Sequence, residues 1–133
     1  MNENEVGKCI VDCAFRVHTQ LGPGLLESVY EVALIHEIRG RDLLAERQVG
    51  IPIASSGLRF EVGFRADIIV EDLVIIELKS VETVRSVHQK QLLTYLRLAD
   101  KRLGYLINFG ENLIKDGISR VANGVEDWGT RSR

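Results

Sequence analysis

The residues best suited to chemistry lie in one stretch, Arg65-Ala-Asp-Ile-Ile-Val-Glu-Asp-Leu-Val-Ile-Ile-Glu-Leu-Lys79. Two apolar runs flank Glu71 and Asp72, so the stretch reads as a β-hairpin. A three-residue loop sets Asp67 opposite Glu77 and Arg65 opposite Lys79. Side chains alternate along a strand, so these four share one face, with Ile69 and Ile75 toward the turn. Ala66, Ile68 and Val70 then oppose Val74, Ile76 and Leu78 on an apolar face for the core. A two-residue turn would shift the pairing and set Asp67 opposite Ile76. Gathering the charges on one face favours the longer loop.

Two carboxylates held this close repel each other unless something positive lies between them. A divalent cation is the simplest answer, and hard oxygen ligands suit Mg²⁺ or Mn²⁺ with waters filling the remaining positions. Lys79 would reach the same place, to orient or deprotonate a metal-bound water or to steady a phosphate. The plain alternative is a solvated sheet face on which Arg65–Asp67 and Glu77–Lys79 are surface ion pairs worth little.

Helices must supply the walls of such a site. Val6, Ile10, Cys13, Ala14, Val17 and Leu21 form one helical stripe, ended by Gly22-Pro23-Gly24. A second helix is expected from Leu25 to Ile38, closed by Arg39-Gly40-Arg41. There Glu27 falls in line with Tyr30, Leu34 and Ile38, which aims a carboxylate toward the core side. Strands are expected at Arg47–Ile53, at Leu58–Val70 with a bulge at Gly63, and at Leu73–Lys79, with a turn at Ser55-Ser56-Gly57. A third helix, Val84 to Leu98, puts His88, Gln91, Leu92 and Tyr95 on one face and Lys90, Thr94 and Arg97 on the other. Polar groups on an inward stripe need partners, and with the hairpin they make a polar site. Leu103–Phe109 is a last apolar strand. Asn112 to Asn123 reads equally as a strand or a frayed helix. The order α, α, β, β, β, α, β describes a mixed sheet with helices packed on it.

The chain of 133 residues fits one domain, 1–123, with a tail at 124–133 that lacks periodicity. Lys plus Arg number 17 and Asp plus Glu 19, a net charge of −2, which excludes a simple polybasic binder but not a local basic groove. Candidates for that groove are Arg39, Arg41, Arg47, Arg65, Lys79, Arg85 and Lys90. No apolar run approaches the ~18 residues of a membrane span, and the acidic N-terminus is not a secretory signal. Cys9 and Cys13, one helical turn apart, read as reduced thiols of a cytoplasmic protein. A metal-binding pair would need a second Cys pair.

The segment Gly24-Leu-Leu-Glu27-Ser-Val-Tyr30 resembles the signature of the GxxExxY proteins, a group within the PD-(D/E)XK nuclease superfamily. Val17-His18 and Leu21-Gly22-Pro23 resemble that group's first-helix exit. Asp67 followed by Glu77-Leu78-Lys79 is similar to the superfamily's D…(D/E)-X-K core, with Ala66 where its name has a proline. Gln91-Leu-Leu-Thr-Tyr95 is similar to a Q-x-x-x-Y helix motif, and Leu106 to Gly110 to the end of the last core strand. The resemblance runs from Val6 to Asn123. It implies an α/β (α+β) fold with a central mixed four-stranded sheet in αβββαβ order, preceded here by an extra helix. It further implies that Asp67, Glu77, the Leu78 carbonyl and Glu27 hold Mg²⁺ or Mn²⁺, and that Lys79 acts on the attacking water. Gln91 and Tyr95 would position the lysine or a phosphate. Arg65, His88, Tyr30 and His18 would stand nearest the substrate. The implied activity is metal-assisted phosphodiester hydrolysis of nucleic acid, DNA before RNA, by a protein that does not enter membranes. A homodimer is expected, because so small a domain offers little surface to wrap a duplex. The rival expectation is a non-catalytic binding or regulatory module that keeps the fold.

Overall fold

A computed structural model describes residues 1–125; the tail expected at 124–133 lies outside the described residues beyond Val125. Val125 itself packs against the larger core cluster, and Arg102 reaches back to the Gly124 carbonyl at 3.1 Å.

The first helix, α1 (Glu3–Leu21), begins before its apolar stripe does. Asn2 caps it by accepting from the Glu5 N–H, and Glu5 returns the favour to the Asn2 N–H. Gly22 takes φ 73° and Gly24 φ 94°, conformations that end the helix and turn the chain. The second helix, α2 (Glu27–Arg39), follows directly and buries Tyr30, Glu31, Leu34, Ile35 and Ile38.

Strands β1 (Ala45–Ser55) and β2 (Leu58–Val70) form a long hairpin, closed by Ser56 at φ 51° and Gly57 at φ 79°. Its register slips between Ile51 and Ile53. The bulge expected at Gly63 falls at this break, where an added Cβ would come within 2.1 Å of the Ile53 side chain. Strand β3 (Val74–Lys79) pairs antiparallel with β2: Ile68 faces Ile76, Ile69 faces Ile75 and Val70 faces Val74. This is the register of the three-residue loop, with Glu71 and Asp72 both left-handed at φ 55° and 54°.

The third helix, α3 (Ser86–Ala99), carries the chain over to β4 (Leu103–Asn108), which lies parallel to β3. The undecided segment becomes a single 3₁₀ turn at Ile114–Gly117 and a strand, β5 (Ile118–Ala122), antiparallel to β4. The sheet is therefore five-stranded, in order β1-β2-β3-β4-β5, rather than four-stranded. The added strand covers the edge of β4, whose six residues are all buried.

One face of the sheet packs on α1 and α2, through Ile68, Val70, Val74, Ile76 and Leu78. The other packs on α3, through Phe64, Ala66, Ile69, Ile75, Leu92, Leu96 and Leu106. Ala66 thus lies with the α3 side and not, as expected, with Ile68 and Val70. The alternation of β2 breaks at Asp67. On β1 it breaks opposite, at Gln48: Ala45 lies in the first cluster, whereas Val49 and Ile51 belong to the second. Gln48 has φ 50° and is missing from the ladder between the pairs Arg47–Ile68 and Val49–Ala66. A left-handed residue of this kind costs about 1–2 kcal/mol. It lets both strands exchange faces at one point. No helix among the described residues is long and apolar enough to cross a membrane.

Candidate active site

The face exchange puts Asp67 where β2 leaves β3. Regular pairing of these strands stops at Ile68–Ile76. The next free amide on β3, that of Leu78, donates instead to Asp67 Oδ2 at 2.8 Å. The Asp67 N–H points at Glu77 Oε1 over 3.4 Å. The two carboxylates are therefore neighbours across the strands, as the hairpin register requires. Glu77 is strongly perturbed. Burial and then the charge of Asp67 push its pKa up to about 8, and Lys79 offsets this only in part. Tyr95, one face of α3 away, stacks on Phe64 with ring centroids 4.0 Å apart. Its hydroxyl pKa is raised by burial and then by the negative charges of Glu77 and Asp67.

The other oxygen of Asp67 is held from β1. Gln48 Nε2 donates to Asp67 Oδ1 at 3.3 Å and to Glu31 Oε2 at 3.0 Å. Arg47 Nε donates to Glu31 Oε1 at 2.9 Å. Glu31 is 6% exposed, and this ion pair and amide are what make its burial tolerable. Sequence reasoning missed both Glu31 and Gln48. Glu31 carried a signal, since it precedes the buried Leu34, Ile35 and Ile38 by three, four and seven residues. Nothing in the sequence marks Gln48 as left-handed.

Lys79 ends β3 opposite Asn108, and the Phe109 N–H donates to its carbonyl at 2.8 Å. The chain beyond is pinned by fully buried Asn108, whose Oδ1 accepts from the Val81 and Gly110 amides and whose Nδ2 donates to the Val81 carbonyl. Gly110 has no room for a side chain, as a Cβ would sit 2.2 Å from the Val81 carbonyl oxygen. Lys79 therefore leaves a fixed strand end. Its backbone neighbour Leu78 is buried, with its amide spent on Asp67.

The remaining expected residues are not drawn into this cluster. Glu27 is corrected in its placement: as the first residue of α2 it is exposed, and Tyr30 and Glu31 take the inward positions. It lines a cleft of about 450 Å³ with Gly24, Leu25 and Ser80. The Ser80 hydroxyl donates to the Leu25 carbonyl, tying that cleft to the end of β3. Tyr30 is buried, stacks on Phe109 at 4.4 Å, donates to the Gly22 carbonyl and accepts from the Leu25 N–H. His18 donates through Nε2 to the Glu111 carbonyl at 2.8 Å and lies against Phe109. His88 Nδ1 accepts from the Arg85 N–H at the start of α3, and Gln91 is exposed. Arg65 turns over β1, donating to the Gln48 carbonyl at 3.3 Å and pairing with Gly50, and the regular β2–β3 ladder does not extend to the expected Arg65–Lys79 pair. Of the basic residues expected to form a groove, Arg39 is engaged by the Ala45 carbonyl, Arg41 by Asp12 and Arg47 by Glu31.

Among the described residues no three of His, Cys, Asp and Glu converge as a ligand set. Two do, and their chemistry fits a hard divalent cation. Two adjoining carboxylates, one pushed toward its protonated form, are relieved by positive charge between them. Mg²⁺ is ordinarily held by one or two carboxylates, with water and substrate oxygens completing the shell.

Comparisons with known proteins agree with this frame. A family model described as the PD-(D/E)XK nuclease superfamily matches residues 4–121. The crystal structure of SSO0001 is similar in fold, with a TM-score of 0.55 and 21% identity over 75% of this chain. The chain spans about half that protein's length, 52%. No curated protein matches. The match over nearly all described elements, with Asp67, Glu77 and Lys79 at one strand junction, makes this chain a member of the PD-(D/E)XK nuclease superfamily.

Proposed function

We propose that the protein is a Mg²⁺- or Mn²⁺-dependent nuclease that hydrolyses phosphodiester bonds in DNA. The observation that carries this reading is the opposed pair Asp67–Glu77 with Lys79 two residues further along the same strand. Asp67, Glu77 and the Leu78 carbonyl are the groups that would hold the cation. A bound cation supplies an activated water and neutralises charge gathering on the phosphate. Lys79, fixed at the end of β3, orients or deprotonates the water. Tyr95, whose hydroxyl feels the charges of both carboxylates, and Gln91, one turn earlier on the exposed side of α3, would position the phosphate. Glu27 stands outside the two-carboxylate set, in the cleft beside Ser80. Arg65, turned over β1, and His88, at the start of α3, would meet the substrate outside the carboxylate pair, whereas Tyr30 and His18 support the site through the main chain they bind.

The Gly24–Tyr30 segment supports a finer placement among the GxxExxY proteins. Free Cys9 and Cys13, the latter buried with its pKa raised to about 11 by desolvation, suit a reducing compartment such as the cytoplasm. A homodimer would widen the surface offered to a duplex.

The second reading is a non-catalytic nucleic-acid- or protein-binding module. The net charge of −2 favours it, as does the engagement of Arg39, Arg41 and Arg47 within the protein. Incubation with linear, circular and single-stranded DNA and with RNA, with and without Mn²⁺, separates the two. The nuclease reading expects metal-dependent cleavage that disappears in Glu77→Ala while the fold melts cooperatively as before. Cleavage that survives Glu77→Ala contradicts the site assignment. Binding without cleavage in any condition supports the module.

A further inference from the structure

We infer that Gln48 is a positioning residue for the metal site, holding Asp67 from the side opposite the Leu78 amide and taking its own orientation from Glu31. The inference rests on the proposed function. It begins with the backbone. Gln48 is a non-glycine residue at φ 50° in the middle of an eleven-residue strand, where nothing in the turn chemistry calls for a left-handed conformation. The neighbouring ladder pairs, Arg47–Ile68 and Val49–Ala66, are regular on either side. The departure is thus confined to one residue, and that residue faces Asp67.

The side chain shows what the departure achieves. A single amide nitrogen donates to carboxylates from two different elements, Glu31 on α2 and Asp67 on β2. Glu31 cannot drift, because it is buried and Arg47 holds its other oxygen. The Gln48 backbone is steadied as well, since its carbonyl accepts from Arg65. Asp67 is therefore clamped at both oxygens, by a main-chain amide on one side and by an anchored side-chain amide on the other. A carboxylate so held keeps its remaining lone pairs in fixed directions. This is the role that hydrogen-bonding partners of metal ligands fill generally, and their loss typically costs about 10–100-fold in metal affinity.

A purely structural role predicts a different outcome from a positioning role, and Gln48→Gly tells them apart. Glycine adopts φ 50° without strain, which offsets part of the cost of taking the Gln48 amide from buried Glu31, so the variant should still melt cooperatively and be fully folded at assay temperature. It should nevertheless bind Mn²⁺ roughly 10–100-fold more weakly in calorimetry. Gln48→Asn is the second variant. It keeps an amide and tolerates the left-handed backbone, but ends one methylene short, and should show a loss of similar size. Unchanged Mn²⁺ affinity in both variants overturns the role of Gln48 while leaving the nuclease reading intact. A loss of affinity confined to a variant that has lost its cooperative melt at assay temperature also overturns it. Unaltered protein that takes up no Mn²⁺ overturns the metal site and the positioning role together.

Discussion

Two polar regions lie inside this small fold, and their polar groups have opposite fates. Around Phe109, the Tyr30 hydroxyl, the His18 ring and the Asn108 amide all find main-chain partners within hydrogen-bond distance. That region fastens the Gly22–Leu25 turn, the Glu111 loop and the segment after β3. At the β2–β3 junction the polar groups are also bonded, but the sum is unbalanced. Asp67 and Glu77 adjoin, and Glu77 is pushed toward its protonated form. Satisfied polarity builds architecture, whereas unbalanced charge is the mark of a place made for a ligand.

Substitutions in the two regions should therefore fail differently. The largest effect is expected from Lys79→Met. It should slow cleavage by roughly 10²–10⁴, the usual span for an acid–base group, and spare both Mn²⁺ binding and the melting temperature. Tyr30→Phe should do the reverse. Leaving the Gly22 carbonyl and Leu25 amide without their partner costs about 1–3 kcal/mol in a denaturant melt, while cleavage per folded molecule stays close to that of the unaltered protein. A Tyr30→Phe variant that is stable but inactive would place the hydroxyl at the substrate and erase the contrast.

A pH-dependent effect on stability comes from Glu77 itself in metal-free protein. Its pKa is near 4.5 in an ordinary carboxyl setting and about 8 in the fold. The folded state thus holds the proton more tightly than the unfolded state, and stability falls as pH rises through that window. Above about 8 the penalty stands in full; below about 4.5 it vanishes. Glu77→Gln, free of metal, should melt several degrees higher than the unaltered protein at alkaline pH and equally at acid pH. Equal melting at alkaline pH would mean that the carboxylate pair carries no strain.

The hairpin was the most legible part of the molecule. Alternation and the Glu71-Asp72 turn favour the register that sets Asp67 opposite Glu77, and the structure has that register, although Arg65 does not join the charges. The helices were legible too, since periodicity and the Gly22-Pro23-Gly24 break are local signals. What escaped is non-local. Strand β5 depends on β4 having an edge to cover, which its own weak pattern cannot announce. The face exchange at Gln48 and Asp67 is a property of two paired strands, so Ala66 was assigned to the wrong face. Glu27 and Glu31 lie one turn apart on the same helix, and only the packed sheet decides which carboxylate is buried. Tyr30, His18 and Asn108 share the residue types of a catalytic wall, yet main-chain partners far away in sequence absorb them.

The central claim is that Asp67 and Glu77 form one cation site that is electrostatically strained when empty. Calorimetric titration of the unaltered protein and of Asp67→Asn with Mn²⁺ across neutral and alkaline pH tests it most directly. The account predicts uptake that strengthens by up to about tenfold per pH unit below about pH 8 and levels off above it, because the cation must displace the proton on Glu77. It also predicts that Asp67→Asn loses most of that affinity. Mn²⁺ uptake that ignores pH, or that survives intact in Asp67→Asn, would contradict it.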